Sequence, residues 1–308
     1  MIEELSEIEL DLLKKISVIE EIEKGAFNIR RNGELLKKCN DKGVVINSKT
    51  DCSGIDIIVE ENAKNKVLNI PVIVSNSGLN DLVYNDFYIG DNSSVVIKAG
   101  CAVHNEGNHK TGHSGIHRFY IGKNAKVSYI EKHYACGKGS GKKILNPTTE
   151  VVLEENATFK METTQYSGVS KSDRVTNALL KDNSTLIIRE NIITQNSEIT
   201  KTSFNVKLEE NSSCHLVSRS VAKDNSYQEF ISNLEGNKKS YAHSECDAIL
   251  QGNARVTAIP KVVANHYEAR LIHEATIGKI AGEQLLKLMS LGLNEEEATN
   301  IIINGFLK

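Results

Sequence analysis

The chain has 308 residues, 40% of them apolar and 25% charged, with a net charge of −3, which suits a globular protein long enough for a sizeable core. That balance carries no basic footprint for nucleic acid, and no apolar run approaches the ~18 residues of a membrane span. The start Met1-Ile2-Glu3-Glu4 has no leader pattern and the six cysteines stand singly, so a cytoplasmic protein with reduced thiols and no membrane partner is expected.

Leu5, Ile8, Leu12, Leu13, Ile16, Ile19 and Ile22 recur at spacings of three and four, which predicts one amphipathic helix over 5–24 with Gly25 as its stop. Residues 1–45 are read as an N-terminal helical segment. From about Gly43 the pattern changes to short β-branched runs such as Ile55–Val59 and Pro71–Val74, bounded by Asn, Ser and Gly, which read as strands. The strands repeat: an apolar strand end followed by Asn and then Ala or Ser recurs with the asparagine at 62, 92, 124, 156, 183, 211 and 253. An interval near thirty residues is the mark of a solenoid, and Asn tolerates the left-handed backbone that a repeated corner needs. A β-sandwich also has short strands and polar turns, but it does not require a near-constant interval. No hexapeptide period is present, so the fold expected over 46–270 is a right-handed parallel β-helix. After Arg270, Leu285, Leu286, Leu288, Met289 and Leu291 make an apolar helical face that ends at Gly292. Asn294 and Glu297 then form a capping-box start for a second helix through Ala298, Ile301, Ile302 and Phe306. Residues 271–308 are read as a helical segment, either capping the solenoid or presenting a docking surface.

Two clusters could carry chemistry. His243-Ser-Glu-Cys246-Asp247 and His273-Glu274 combine the thiolate, imidazole and carboxylate types that hold iron or zinc, at a separation that makes them neighbours on successive coils. The same residues suit a buried thiol and a surface polar pair. The second cluster is His104, His109, His113, His117 and His133, flanked by Cys101 and Cys136. Spacings of four would align His109, His113 and His117 on a helix, but Gly107, Gly112 and Gly115 point to a loop, with solvated histidines or a loose metal site. Gly137–Lys143 lacks the spacing and the Ser or Thr of a phosphate loop, and reads as a flexible loop. No nucleophile elbow or dinucleotide fingerprint accompanies it.

At His243-Ser-Glu-Cys246-Asp247-Ala-Ile-Leu, Leu271-Ile-His273-Glu274-Ala, Glu283-Gln-Leu285, Leu291-Gly-Leu-Asn-Glu-Glu-Glu-Ala298 and Asn304-Gly-Phe306 the chain resembles the SufB/SufD family of iron–sulfur cluster assembly proteins. Gly115-Ile-His117-Arg-Phe-Tyr and Tyr129-Ile-Glu-Lys-His133-Tyr resemble its short archaeal and clostridial members. The resemblance implies a right-handed parallel β-helix and a non-enzymatic scaffold role. A transient iron–sulfur cluster would be built at the interface between two β-helices, in a homodimer or with a second family member. A SufC-type ABC ATPase would supply ATP hydrolysis, and apo iron–sulfur proteins would receive the product. It further implies Cys246, Glu274 and His273 as cluster ligands, with His113, His117, His133, Cys136 and Cys101 as accessory groups. ATPase docking would fall on Leu285, Leu288, Met289, Ile302 and Phe306. The chain departs from the longer SufB proteins in carrying His133 where they have a sulfur-accepting cysteine. The rival readings are a SufD-like structural adaptor and a carbohydrate-active β-helix enzyme, the latter lacking the paired acids it would need.

Overall fold

The computed structural model describes residues 5–308; Met1–Glu4, the start of the 1–45 segment, lie outside the described residues. Ser6 opens helix α1 (Glu7–Ile16) with a capping box, its side chain accepting from Glu9 N and its N–H donating to the Glu9 carboxylate. Leu12, Leu13 and Ile16 bury the apolar stripe against Phe27, Ile29, Ile73 and Ala102. The stripe is not one helix over 5–24. Ser17 is extended, in a β-branched run that crowds a helix, and only a single turn, α2 (Ile19–Ile22), follows. Gly25, at φ +111°, turns the chain into the first strand.

Twenty strands follow. The first ten are β1 (Ala26–Arg31), β2 (Glu34–Cys39), β3 (Val44–Ser48), β4 (Gly54–Val59), β5 (Lys66–Val74), β6 (Asn80–Ile89), β7 (Ser94–His104), β8 (Thr111–Ile121), β9 (Lys126–Cys136) and β10 (Lys143–Leu145). The others are β11 (Thr148–Leu153), β12 (Thr158–Gln165), β13 (Lys171–Leu180), β14 (Thr185–Thr194), β15 (Ile199–Leu208), β16 (Ser213–Ala222), β17 (Tyr227–Gly236), β18 (Tyr241–Leu250), β19 (Arg255–Ala264) and β20 (Arg270–Gly278). They form two facing sheets. One runs β2-β1-β5-β7-β9-β12-β14-β16-β18-β20; the other runs from β19 through β17, β15, β13, β10 with β11, β8, β6 and β4 to β3. Among the strands of the described residues only β1–β2 and β3–β4 pair antiparallel. The result is a parallel β-solenoid of about eight turns. Strand structure runs from Ala26 to Gly278, so the helical segments are shorter than 1–45 and 271–308.

Alternate residues of each strand point inward and stack on the same position of the next coil. Phe87 stacks on Phe119 with ring centroids 4.2 Å apart, and Phe159 and Tyr129 pack around Phe119. The repeat motif sits at the corners. Asn62, Asn92, Asn124, Asn156, Asn183 and Asn211 all have φ between +53° and +59°, and the small residue after each tucks under the corner. Ser93, Ser184 and Ser212 are buried there, each donating its hydroxyl to a carbonyl three residues back. Asn253 does not belong to this series. It lies on the opposite corner, between β18 and β19, where Gly252 takes the positive φ instead. The long interval between Asn211 and Asn253 is therefore one coil and a half.

Helices α3 (Gly282–Met289) and α4 (Glu295–Phe306) close the chain, α4 with the capping box expected at Asn294 and Glu297. Ile303, Phe306 and Leu307 pack on Val221 of β16 and Ile249 of β18. Asn191 and Arg219 donate to the carbonyls of Leu307 and Phe306. The pair thus straps the outer flank of a sheet instead of capping the end of the solenoid. No residue of α3 is buried.

Candidate functional site at the open end and along the interior

The last coil has no further coil on it. Its inward positions, read from the register with β17 and β18, are Val256, Ala258, Pro260 and Val262 on β19 and Leu271, His273, Ala275 and Ile277 on β20. Val262 is 47% exposed and Ile277 38%, against nearly zero for the equivalent positions of the middle coils.

Cys246 lies one coil beneath this surface and His273 on the last coil itself. β18 and β20 are adjacent and parallel, with Ser244 opposite His273 and Cys246 opposite Ala275, so the separation of the two motifs does place them on neighbouring coils. The Ser244 hydroxyl lies 3.1 Å from His273 Nδ1, while His273 Nε2 is buried without a partner. Burial draws the His273 pKa down, helped by nearby His243, which favours the neutral, ligand-competent imidazole. Cys246 is buried, and desolvation, with Glu190 and Asp247 adding to it, pushes its thiol up to about 12. In this arrangement it is a protonated, unreactive thiol. Glu274 is not with them. One residue on from the inward His273, it points out of the sheet, its side chain 66% exposed and its Oε2 3.6 Å from His243 Nε2. The proposed ligands thus divide between the inner face (Cys246, His273) and the outer face (Glu274). His243, quoted in the motif but not assigned as a ligand, is Glu274's partner on the outer face of the sheet.

The histidine cluster is not a loop. His113 and His117 lie in β8 and point into the solenoid, as do His133 and Glu131 of β9 and Cys101 of β7; only His109 lies in a loop. These histidines are buried instead of solvated because each occupies an inward position of a strand that stacks in register on its neighbours. Cys136 points to the opposite face of β9, where its Sγ lies 3.3 Å from His104 Nδ1 beneath α1. The Gly137–Lys143 turn is held as well: Gly139 N and Gly141 N donate to Asn105 O and Gly107 O of the turn below.

A line of buried polar groups joins the two clusters. Arg174 donates to His133 Nδ1 (2.5 Å) and to Glu131 (3.3 Å), and its Nε lies 3.4 Å from Glu190. Glu190 accepts from Thr202 and Ser218. Glu190, Ser218 and Cys246 then meet Val256 of the last coil around one tightly packed spot, which carries the line toward the open end. Burial alone would raise the Glu131 pKa, but His133 and Arg174 hold it far below its ordinary value; burial raises Glu190. Desolvation lowers His117 to about 4. Among the described residues no three His, Cys, Asp or Glu side chains are already arranged round a metal position.

Polar and thiol groups borne on stacked strands, with one uncovered end, define the class as a parallel β-solenoid. Residues 75–306 match the SUF system FeS cluster assembly, SufBD core domain. The chain is 31% identical over 290 residues to the Iron-sulfur cluster assembly SufBD family protein of Methanocaldococcus jannaschii, covering 92% of this chain and 90% of that one. It is 29% identical to the protein of that family name from Methanothermobacter thermautotrophicus, over 70% of this chain and 53% of the relative. The Archaeoglobus fulgidus relative is also 29% identical, over 73% and 60%. The chain belongs to the SufBD family of SUF-system iron–sulfur cluster assembly proteins. It spans most of the M. jannaschii relative but little more than half of the longer ones.

Proposed function

We propose that this chain is the scaffold subunit of a SUF-type assembly complex, on which iron and sulfide are joined as cargo at the open end of the solenoid. The observation that carries the reading is the position of Cys246, buried one coil below an uncovered apolar coil end, and of His273, half-buried on that last coil, beside an outer rim that bears His243 and Glu274. A second copy covering that end would complete the stacking that the last coil lacks and bring two such sets together as a homodimer. A thiol protonated when buried becomes a thiolate ligand only when the coil end opens, which suits assembly driven by a partner's ATP hydrolysis.

The partner is a SufC-type ABC ATPase docking on the C-terminal helices. Leu285, Leu288 and Met289 of α3 are on its half-buried or exposed surface, as is Ile302 of α4, and Leu286 (67% exposed) and Leu291 (77% exposed) extend that apolar surface. Phe306 of α4, part of the same proposed docking set, also packs on the solenoid flank and anchors the module. The test is anaerobic reconstitution with ferrous iron and sulfide, with and without the ATPase, in the parent, Cys246→Ser and Glu274→Ala. A cluster in the parent that is lost in Cys246→Ser is the expected result. A parent that binds the ATPase but never yields a cluster overturns the scaffold reading in favour of a structural adaptor.

A further inference from the structure

We infer that the solenoid carries a second metal site, remote from the open end: a position for one divalent transition-metal ion of borderline softness, such as Fe²⁺ or Zn²⁺, between His113, His117, Glu131 and Cys101.

Four observations lead there. First, His113 is 3% exposed, its Nδ1 lies 3.0 Å from the Asp81 carboxylate, and its Nε2 is buried without a partner. A carboxylate on Nδ1–H leaves the Nε2 lone pair free, the arrangement that orients and strengthens metal-bound histidines. Asp81 is itself fixed by Arg30 at 3.6 Å. Second, His113, His117, Glu131, His133 and Cys101 converge with Gly115 on one tightly packed spot of the interior with no room for a water molecule. A Cβ on Gly115 would come within 2.5 Å of His117 Nε2, so glycine keeps the space beside that nitrogen clear. Third, Asn85 Nδ2 lies 3.4 Å from His117 Nδ1 while Asn85 Oδ1 is buried and unpaired. Turning that amide over pairs Oδ1 with His117 Nδ1–H, which satisfies the orphan oxygen and frees the His117 Nε2 lone pair. Fourth, the sheet wall is interrupted here and nowhere else on this path. β8 pairs with β10 as far as His113 and with β11 from Ile116 onward, leaving Asn146-Pro147 opposite Ser114-Gly115. Proline supplies no N–H to close that gap.

Spacing decides whether an ion fits without a larger void. Tetrahedral bonds of about 2.0–2.1 Å to nitrogen and oxygen set donors roughly 3.3 Å apart. His117 Nε2 and Glu131 Oε1 are 4.0 Å apart, so bringing that pair onto one ion asks for a shift of less than ~1 Å. Glu131 can take the ion while keeping its bonds from Tyr129 (2.8 Å) and Arg174. His133 is a positioning group here: Arg174 donates to its Nδ1, leaving Nε2–H directed at Glu131. Binding displaces the Cys101 proton to solvent, and no electron is transferred.

The test is independent of the open-end reading, because it uses the full chain carrying Cys246→Ser and Glu274→Ala. Under anaerobic conditions that chain is titrated with Co²⁺ alone, following the tetrahedral d–d absorption and the thiolate-to-cobalt charge-transfer band. One saturable ion per chain is expected. Cys101→Ser should remove the charge-transfer band while leaving d–d absorption, and His113→Ala and Gly115→Ala should each weaken binding at least tenfold. Asp81→Asn should weaken it by roughly 10–100-fold, the usual effect of losing a carboxylate behind a ligand histidine. No saturable ion, or binding unchanged by both Cys101→Ser and His113→Ala, overturns the site. If His113→Ala does not fold, Cys101→Ser decides it: a charge-transfer band that survives that change places the cobalt elsewhere.

Discussion

At the N-terminal end the two sheets turn back on themselves. β2 pairs antiparallel with β1 and β3 with β4, and α1 covers the adjoining outer face with Leu12, Leu13 and Ile16. At the C-terminal end β19 and β20 stop with their inward apolar side chains uncovered, and the following helices strap the flank. Stacked coils bury their faces only against neighbours, so an end left unfinished is either a liability or an interface. The contrast teaches that the chain supplies closure at one end and leaves the other uncovered, the end where the proposed second copy would stack. The polar groups follow the same division: His113, His117, Glu131 and His133 are sealed within the closed half, whereas His273 lies half-buried on the open coil.

The largest effects are expected where the interior is complete. Arg174→Met strands the Glu131 and Glu190 carboxylates, and breaking a buried pair from one side costs about 3–5 kcal/mol. Phe119→Ala empties the stack with Phe87 and Phe159 for a similar loss of about 3–5 kcal/mol in urea unfolding. Val262→Ala on the open coil should change the isolated chain by no more than ~0.5 kcal/mol; a loss as large as that of Phe119→Ala would mean the end is covered and would break the comparison.

Acid sharpens it further. His117, with its folded pKa of about 4 against about 6.5 unfolded, binds a proton in the unfolded state before it does in the fold. Stability therefore falls as pH drops from about 6.5 to about 4, by an amount on the order of 3 kcal/mol, and rises again with pH through that window. His133, also lowered chiefly by burial, adds in the same direction. His117→Gln should flatten this slope, read as unfolding midpoints at pH 4.5 and 7. Glu131, lowered in the fold, contributes stability above its unfolded value that is lost only at more acid pH.

A smaller, chemical effect concerns the thiols. Cys39 is exposed while Cys214 and Cys246, both pushed up to about 12 chiefly by burial, are not. Iodoacetamide followed by mass spectrometry should label Cys39 in minutes and leave the other two until the chain is unfolded or, for Cys246 alone, until its coil end opens. The smallest effect on stability, within ~0.5 kcal/mol, is expected for Leu286→Glu on the exposed face of α3. The same change should abolish co-purification with the ATPase; retention of the complex would remove α3 from the interface.

Much of this was legible in the sequence because its causes are local. Period-two apolarity, asparagine corners with a small residue tucked beneath, and the capping box at Asn294 each depend on residues within a few positions of one another, and each was realised in the fold. The break in the first helix at Ser17 and the shift of Asn253 to the opposite corner were less visible, since β-branched crowding competes weakly with an apolar stripe and a one-and-a-half-coil step still looks periodic. The sequence also placed Cys246 and His273 on successive coils. What only the tertiary structure decided is which face each group occupies and what lies behind it: that Glu274 looks outward from His273's strand, that the histidines of β8 are sealed inside, and that Arg174 links two carboxylates from different coils. Those facts depend on the register of strands about thirty residues apart, and a slip of one residue would turn every one of these side chains to the other face.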